Sequence, residues 1–199
     1  MSAVYQKSYD APELDRREIL RYAGVKGEAA ELDRLLDECI DEISGKLVYK
    51  VCFCELPIIF EEDHIDLGFA RSSSQSLRKN LENCESIVLF GATVGIELDR
   101  YIARYGYIAP SKALFFQAIG AERIEALCDA FCRDLKEQKS RDGKSIRPRF
   151  SPGYGDLALE LQRDIFKLLD CSRKIGLSLG ESMLMSPSKS VTAIVGILG

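Results

Sequence analysis

The sequence is short of the residues that most catalytic chemistry relies on. It has one histidine. His64 lies in the acidic run Glu61-Glu-Asp-His-Ile-Asp66, where a solvated or hydrogen-bonded turn residue is favoured over a ligand or base. With no histidine to activate a serine, Ser188, Lys189 and Ser190 read as a strand entry with a partner-facing polar rim rather than a nucleophile set. No apolar run reaches the ~20 residues that a membrane helix needs; the longest, Ile87 to Ile96, holds two glycines and reads as a buried strand and turn. Met1 to Ala11 has neither an apolar core nor a small-residue cleavage pattern, so no secretory signal is visible and a cytoplasmic protein is expected. Polybasic arms are also missing. A formal net charge of −4 argues against non-specific nucleic-acid binding.

What is present suits a soluble globular chain. It has 199 residues, 46% hydrophobic and 29% charged, enough to bury a proper core. No internal repeat, low-complexity tract or linker interrupts it, and one α+β domain is the simplest account. Seven cysteines at scattered spacings read as reduced, mostly buried thiols. Cys52-x-Cys54 on a strand and Cys128-x-x-x-Cys132 on a helix could each share a face, so a four-thiolate site is conceivable. Neither has the two-residue spacing of a zinc turn and both lie inside apolar patterns, so core packing is favoured.

Periodicity predicts a short helix over 13–22 and a core-facing one from Glu28 to Ile43, where Leu32, Leu35, Leu36, Cys39, Ile40 and Ile43 recur at three and four. The period changes to two over 46–60, with a further short run at 64–67, predicting a hairpin or meander. A serine-capped helix over 72–81 and a central strand over 86–90 follow. Gly91-Ala-Thr-Val-Gly95 then leads into a helix over 96–105. That glycine turn invites a phosphate-binding reading, but the motif spacings are absent and Glu97 and Asp99 would repel an anion, so a structural or partner-facing loop is favoured. A long helix is predicted over 111–139, with Leu114 on its apolar stripe and a bend at Gly120. Another spans Leu157 to Leu169, and a final strand runs from Val191 to Ile197, with Met183 and Met185 alternating along a strand before it.

The stretch around which these elements are organised is Arg147-Pro-Arg-Phe-Ser-Pro-Gly-Tyr154. Two prolines and a glycine predict an ordered, non-repetitive loop. Its extended backbone would leave N–H and C=O groups free, while Arg147, Arg149 and Tyr154 supply donors, charge and an aromatic face. That set suits a zwitterionic, ring-bearing small molecule.

This segment, its following helix, and Ile175-Gly-Leu-Ser-Leu-Gly-Glu-Ser-Met-Leu-Met-Ser-Pro-Ser-Lys-Ser-Val-Thr-Ala193 together resemble the activation domain of cobalamin-dependent methionine synthase. The resemblance implies a mainly antiparallel twisted sheet flanked by helices over 26–199, with 1–25 as an N-terminal extension carrying a short helix. It implies an S-adenosylmethionine site used in remethylating an oxidised cobalamin, with an electron from a flavodoxin-like donor. Arg149 matches the motif arginine that pairs with the ligand carboxylate, which fits its bidentate chemistry. Phe150 and Ser151 match positions lining the adenosine through backbone contacts. Gly153 makes the turn, and Tyr154 matches the aromatic near the corrinoid. Asp129, and after it Glu125, match acids near the sulfonium.

The family domain continues past its last strand to a further tyrosine of the site, whereas the sequence here stops at Gly199. It has no Asp-x-His-x-x-Gly corrinoid motif, so cobalamin is expected on a partner: the cobalamin-binding domain of methionine synthase or another corrinoid protein. Two functions follow from the resemblance. One is a reactivation module serving such a partner, an accessory part of a methyltransferase. The other is a non-catalytic S-adenosylmethionine or corrinoid-protein binding module with a regulatory role.

Overall fold

The computed structural model describes residues 3–25 and 30–199. In chain order the elements are β1 (Tyr5–Tyr9), α1 (Arg16–Tyr22), α2 (Ala30–Ile43), β2 (Tyr49–Pro57), β3 (Ile59–Phe60), β4 (Ile65–Asp66), β5 (Arg71–Ser72), α3 (Gln75–Asn80), β6 (Cys84–Thr93), α4 (Glu97–Ile108), α5 (Pro110–Arg141), β7 (Ser145–Ile146), α6 (Leu161–Leu169), α7 (Cys171–Ile175), β8 (Ser178–Leu179), β9 (Met185–Ser186) and β10 (Ser190–Leu198). The expected start of the second helix at Glu28 lies outside the described residues.

The main sheet has the order β1-β2-β6-β10-β7, and every pairing in it is antiparallel. Strand β6 is buried along almost its whole length, because helices cover both faces of the sheet. Alternation then divides its side chains: Val88, Phe90 and Ala92 enter one core, Ile87 and Leu89 the other. The first core is closed by α1, α2, α4 and α5, and the second by α3, α6 and α7. The α+β architecture with an antiparallel sheet flanked by helices is the one the resemblance implies.

Several local expectations change. Residues 5–9 form an edge strand paired with β2, so the N-terminal segment is part of the main sheet. Strand β6 runs on through Gly91, Ala92 and Thr93, so the apparent glycine turn is mostly strand. Gly95 remains in the turn at φ +85°, where an added Cβ would stand 2.7 Å from Val48 Cγ2; the glycine serves close packing. Gly120 lies inside an unbroken 32-residue α5, and a Cβ there would meet the Lys189 side chain at 2.7 Å. Its lack of a side chain lets Lys189 cross the helix. Leu114, expected on the apolar stripe, is exposed. Met183 is a turn residue at φ +64°, outside the short hairpin strands β8 and β9. Cys52 and Cys54 lie in one core and Cys128 in the other, so the sheet separates the two cysteine pairs.

A buried ion pair ties the N-terminal segment to α5. Glu122 and Arg123 are 4% and 3% exposed. Arg123 donates to the carbonyls of Pro12 at 2.6 Å and Glu13 at 2.7 Å, and Glu122 Oε1 accepts from the Asp15 N–H at 3.1 Å. Arg123 Nε also donates to Glu122 Oε2 at 2.5 Å. Removing one partner strands the other charge in the core, which costs about 3–5 kcal/mol. Arg123→Ala should therefore lose about that much unfolding free energy in a urea titration, with α1 detaching first by hydrogen exchange.

Candidate functional site

The motif segment lies along the free side of β10, but not in simple register. Ile146 is opposite Ile197 and Phe150 is opposite Ile194, so four steps along the segment match three along the strand. One residue is extra, at the position of Pro148, which has no N–H to pair. The bulge reverses which way the following side chains point. Ile146 and Arg149 both face the α5 side, whereas Arg147 and Phe150 face the other. The two arginines are therefore on opposite faces of the sheet. Arg147 donates to the Glu82 carbonyl at 2.9 Å and takes no part in an Arg149 site.

Arg149 reaches two acids one turn apart on α5. It donates to Asp129 Oδ1 at 2.5 Å and to Glu125 Oε2. Its side chain is 26% exposed, those of Glu125 and Asp129 43% and 58%. Burial by itself would lower the guanidinium pKa, but the Asp129 hydrogen bond and the surrounding negative charge outweigh it and raise the value. The three charged residues singled out from the sequence thus form one cluster, in which the acids hold the arginine. Beyond the acids, a groove of about 890 Å³ separates α5 from residues 12–18 and is lined by Arg16, Arg17, Tyr22 and Arg133 among others.

The backbone of the loop is less free than its prolines and glycine suggest. Phe150 donates to Ile194 O and accepts from Ile194 N, each at 2.8 Å, so its N–H is already paired and its carbonyl keeps one lone pair for a further contact. Its ring is buried in the second core and meets the Tyr154 ring edge-on at 5.4 Å. Tyr154 is 69% exposed. Between them, Ser151 O accepts from Tyr154 N at 3.1 Å, and Gly153, at φ +87°, donates to Leu157 O at 2.9 Å. The helix expected from Leu157 begins only at Leu161; Leu157 is buried in the second core as part of the loop.

Asp156, which no sequence motif marks, fastens this loop to α3. It accepts from Ser74 Oγ at 2.5 Å, Gln75 N at 2.7 Å and Ser76 N at 3.1 Å, while Ser74 Oγ accepts from Leu77 N at 3.0 Å. Three N–H groups of the first helical turn are satisfied in this way. The second recognised segment is anchored at the opposite end of the sheet. Asp99 accepts from the Ser188 N–H at 2.8 Å, Lys189 Nζ donates to Gln117 Oε1 at 2.6 Å, and Ser190 Oγ pairs with Thr93 Oγ1 at 2.8 Å.

The hydrogen bond from Ser74, followed by those from the α3 backbone, holds the Asp156 carboxyl well below the usual carboxylate range. The folded state then binds that proton more weakly than the unfolded chain. Its contribution is full above the unfolded value of about 3.9 and is lost as pH falls below it. Asp156→Asn should lower Tm at pH 7, and the gap to the wild type should narrow steadily as pH falls below about 4 in thermal melts followed by circular dichroism.

Comparison with known proteins adds two findings. A family model described as "Vitamin B12 dependent methionine synthase, activation domain" matches residues 79–197, more than half of the chain. A solved structure, "Crystal Structure of the MetH Reactivation Domain bound to AdoHcy", superposes with a TM-score of 0.67 at 16% sequence identity, covering 98% of this chain and 78% of that one. No curated protein matches the sequence. The structural likeness shows a shared fold that includes the N-terminal strand and helix. On the family match, carried by a stretch that contains β6, α5, the motif loop and β10, the chain belongs to the vitamin B12 dependent methionine synthase activation domain family.

Proposed function

We propose that the chain is an S-adenosylmethionine-binding reactivation module, acting on cob(II)alamin carried by a partner methionine synthase or related corrinoid methyltransferase. The observation that carries this reading is the cluster of Arg149 with Glu125 and Asp129, whose two acids border the groove beside α1. S-adenosylmethionine supplies an activated methyl group, and the partner supplies the corrinoid and receives an electron from a flavodoxin-like donor. The solved relative was crystallised with AdoHcy, the product such a transfer leaves.

The residues fit the amino-acid end of that ligand. Its carboxylate takes the guanidinium fork of Arg149 in the bidentate manner that planar geometry favours. The released Glu125 and Asp129 then face the ligand's positive groups. Each charge of the internal pair is exchanged for one of the same sign, so little charge is left unpaired. This limits the acids' role to electrostatic holding, with no proton transferred. Ser151 borders the adenosine side, Gly153 turns the chain, and Tyr154 stands out toward a partner, anchored by the Phe150 ring beneath it. The protein's part is to position the sulfonium carbon and exclude water from it.

Isothermal titration with S-adenosylmethionine tests the site. Arg149→Ala should weaken binding roughly 10- to 100-fold, from the ~1.5–3 kcal/mol that hydrogen bonds between charged groups contribute, while Tyr22→Ala in the groove should bind as the wild type does. No binding by the wild type, or equal binding by Arg149→Ala, overturns the reading. With a corrinoid methyltransferase in its inactive cobalt(II) form, adding this chain, S-adenosylmethionine and a reductant should restore turnover. Tyr154→Ala should impair that recovery more than it impairs ligand binding. Binding without any recovery would identify a regulatory module instead.

A further inference from the structure

On the sheet face away from α5, two cysteines distant in sequence meet. Cys52 of β2 and Cys171, the first residue of α7, have Sγ atoms 3.8 Å apart, and both are fully buried. They meet above Gly91 of β6, where an added Cβ would stand 3.3 Å from Cys171 Sγ and 3.5 Å from Cys52 Sγ. The two sulfurs occupy the space that the glycine leaves. Among the described residues this is the one hydrogen-bond contact between two thiols.

The surroundings favour reaction between them. Either thiol can donate across this contact, and the contact, aided by the Gly91 backbone, holds the Cys52 thiol below its ordinary value. The same contact, with burial, pushes Cys171 up. Helix α7 is only five residues long and is bounded by left-handed backbone at Asp170 (φ 49°) and Gly176 (φ 71°). So short a helix, with a change of direction at each end, can make the small approach from 3.8 Å to the S–S length of about 2.05 Å.

We propose that Cys52 and Cys171 are a disulfide-forming pair that a hydroperoxide oxidises, linking α7 to the central sheet. The Cys52 sulfur attacks one peroxide oxygen and the O–O bond breaks. This leaves Cys52 as a sulfenic acid and releases an alcohol, or water when the oxidant is hydrogen peroxide. The Cys171 sulfur then attacks the sulfenyl sulfur, the S–O bond breaks and water departs with the Cys171 proton. Two thiols are oxidised for one hydroperoxide reduced. Because α6 and α7 follow the motif loop directly, the bond would fasten the layer behind that loop to β2.

The test is to treat the reduced full chain with hydrogen peroxide, alkylate it in denaturant and map the peptides by mass spectrometry. The count of alkylated thiols should fall from the seven free cysteines by two. Tryptic peptides 51–71 and 168–173 should be joined, and dithiothreitol should restore all seven. Fragmentation should place the bond at Cys52, and Cys54→Ser should retain it, whereas Cys52→Ser and Cys171→Ser should abolish it. Seven alkylated thiols after oxidation, a bond at Cys54, or oxidation confined to the partly exposed Cys132 would overturn the proposal. The wild-type peptide map decides even if a cysteine variant fails to fold.

Discussion

The pair of hydrogen bonds between Phe150 and Ile194 governs the arrangement of the site. Both bonds are 2.8 Å long, and they continue the sheet beyond β7 after the bulge at Pro148. An antiparallel ladder alternates its side chains between faces, so a one-residue insertion exchanges the faces of everything that follows. Here the exchange turns Arg149 toward α5 and Phe150 into the opposite core. Without it, Arg149 would point at α3 and α6, away from Glu125 and Asp129. The charged cluster is a consequence of strand register before it is a consequence of charge.

Helix α5 holds the other half of that arrangement. Its apolar stripe enters the first core through Ile119 and Leu127, with Phe131 against Phe53 and Phe90 of the sheet and Phe116 against Tyr101 and Tyr105 of α4, which fixes its rotation. That rotation carries Glu122 and Arg123 into the interior, where they bind the N-terminal segment, and places Glu125 and Asp129 at the border between Arg149 and the groove. One face of one helix thus both closes the core and presents two carboxylates. A similar economy appears at Asp156, where a single carboxylate caps α3 and anchors the loop that carries Tyr154.

Much of this was legible in the residues. The helices announce themselves through apolar recurrence at three and four, and the central strands through continuous Val, Ile, Leu and Phe. The motif loop stands out by its prolines, Gly153 and two arginines. Other features left no local trace. Strand β1, Tyr-Gln-Lys-Ser-Tyr, is mostly exposed and shows none of the apolar alternation that marks a half-buried strand, since it is held by backbone pairing with β2. The passage of β6 through Gly91 looks like a turn because glycine is usually read as one, whereas here the missing side chain makes room for two sulfurs. Leu114 fits the helical stripe yet stays exposed near the helix start.

By itself the sequence determined the types of the longer elements, the burial of the central strand β6, the family and the identity of the charged and aromatic residues in the motif. These follow from short-range periodicity and from the chemistry of single side chains, which need no knowledge of what lies opposite. Tertiary structure alone decided that Arg147 and Arg149 part company, that the Phe150 N–H is paired with Ile194, that Arg149 is held by both acids at once, and that Cys52 finds Cys171. Each of these depends on register between segments far apart in the chain. Register is set by the packing of whole strands and helices against one another, and no local pattern encodes it.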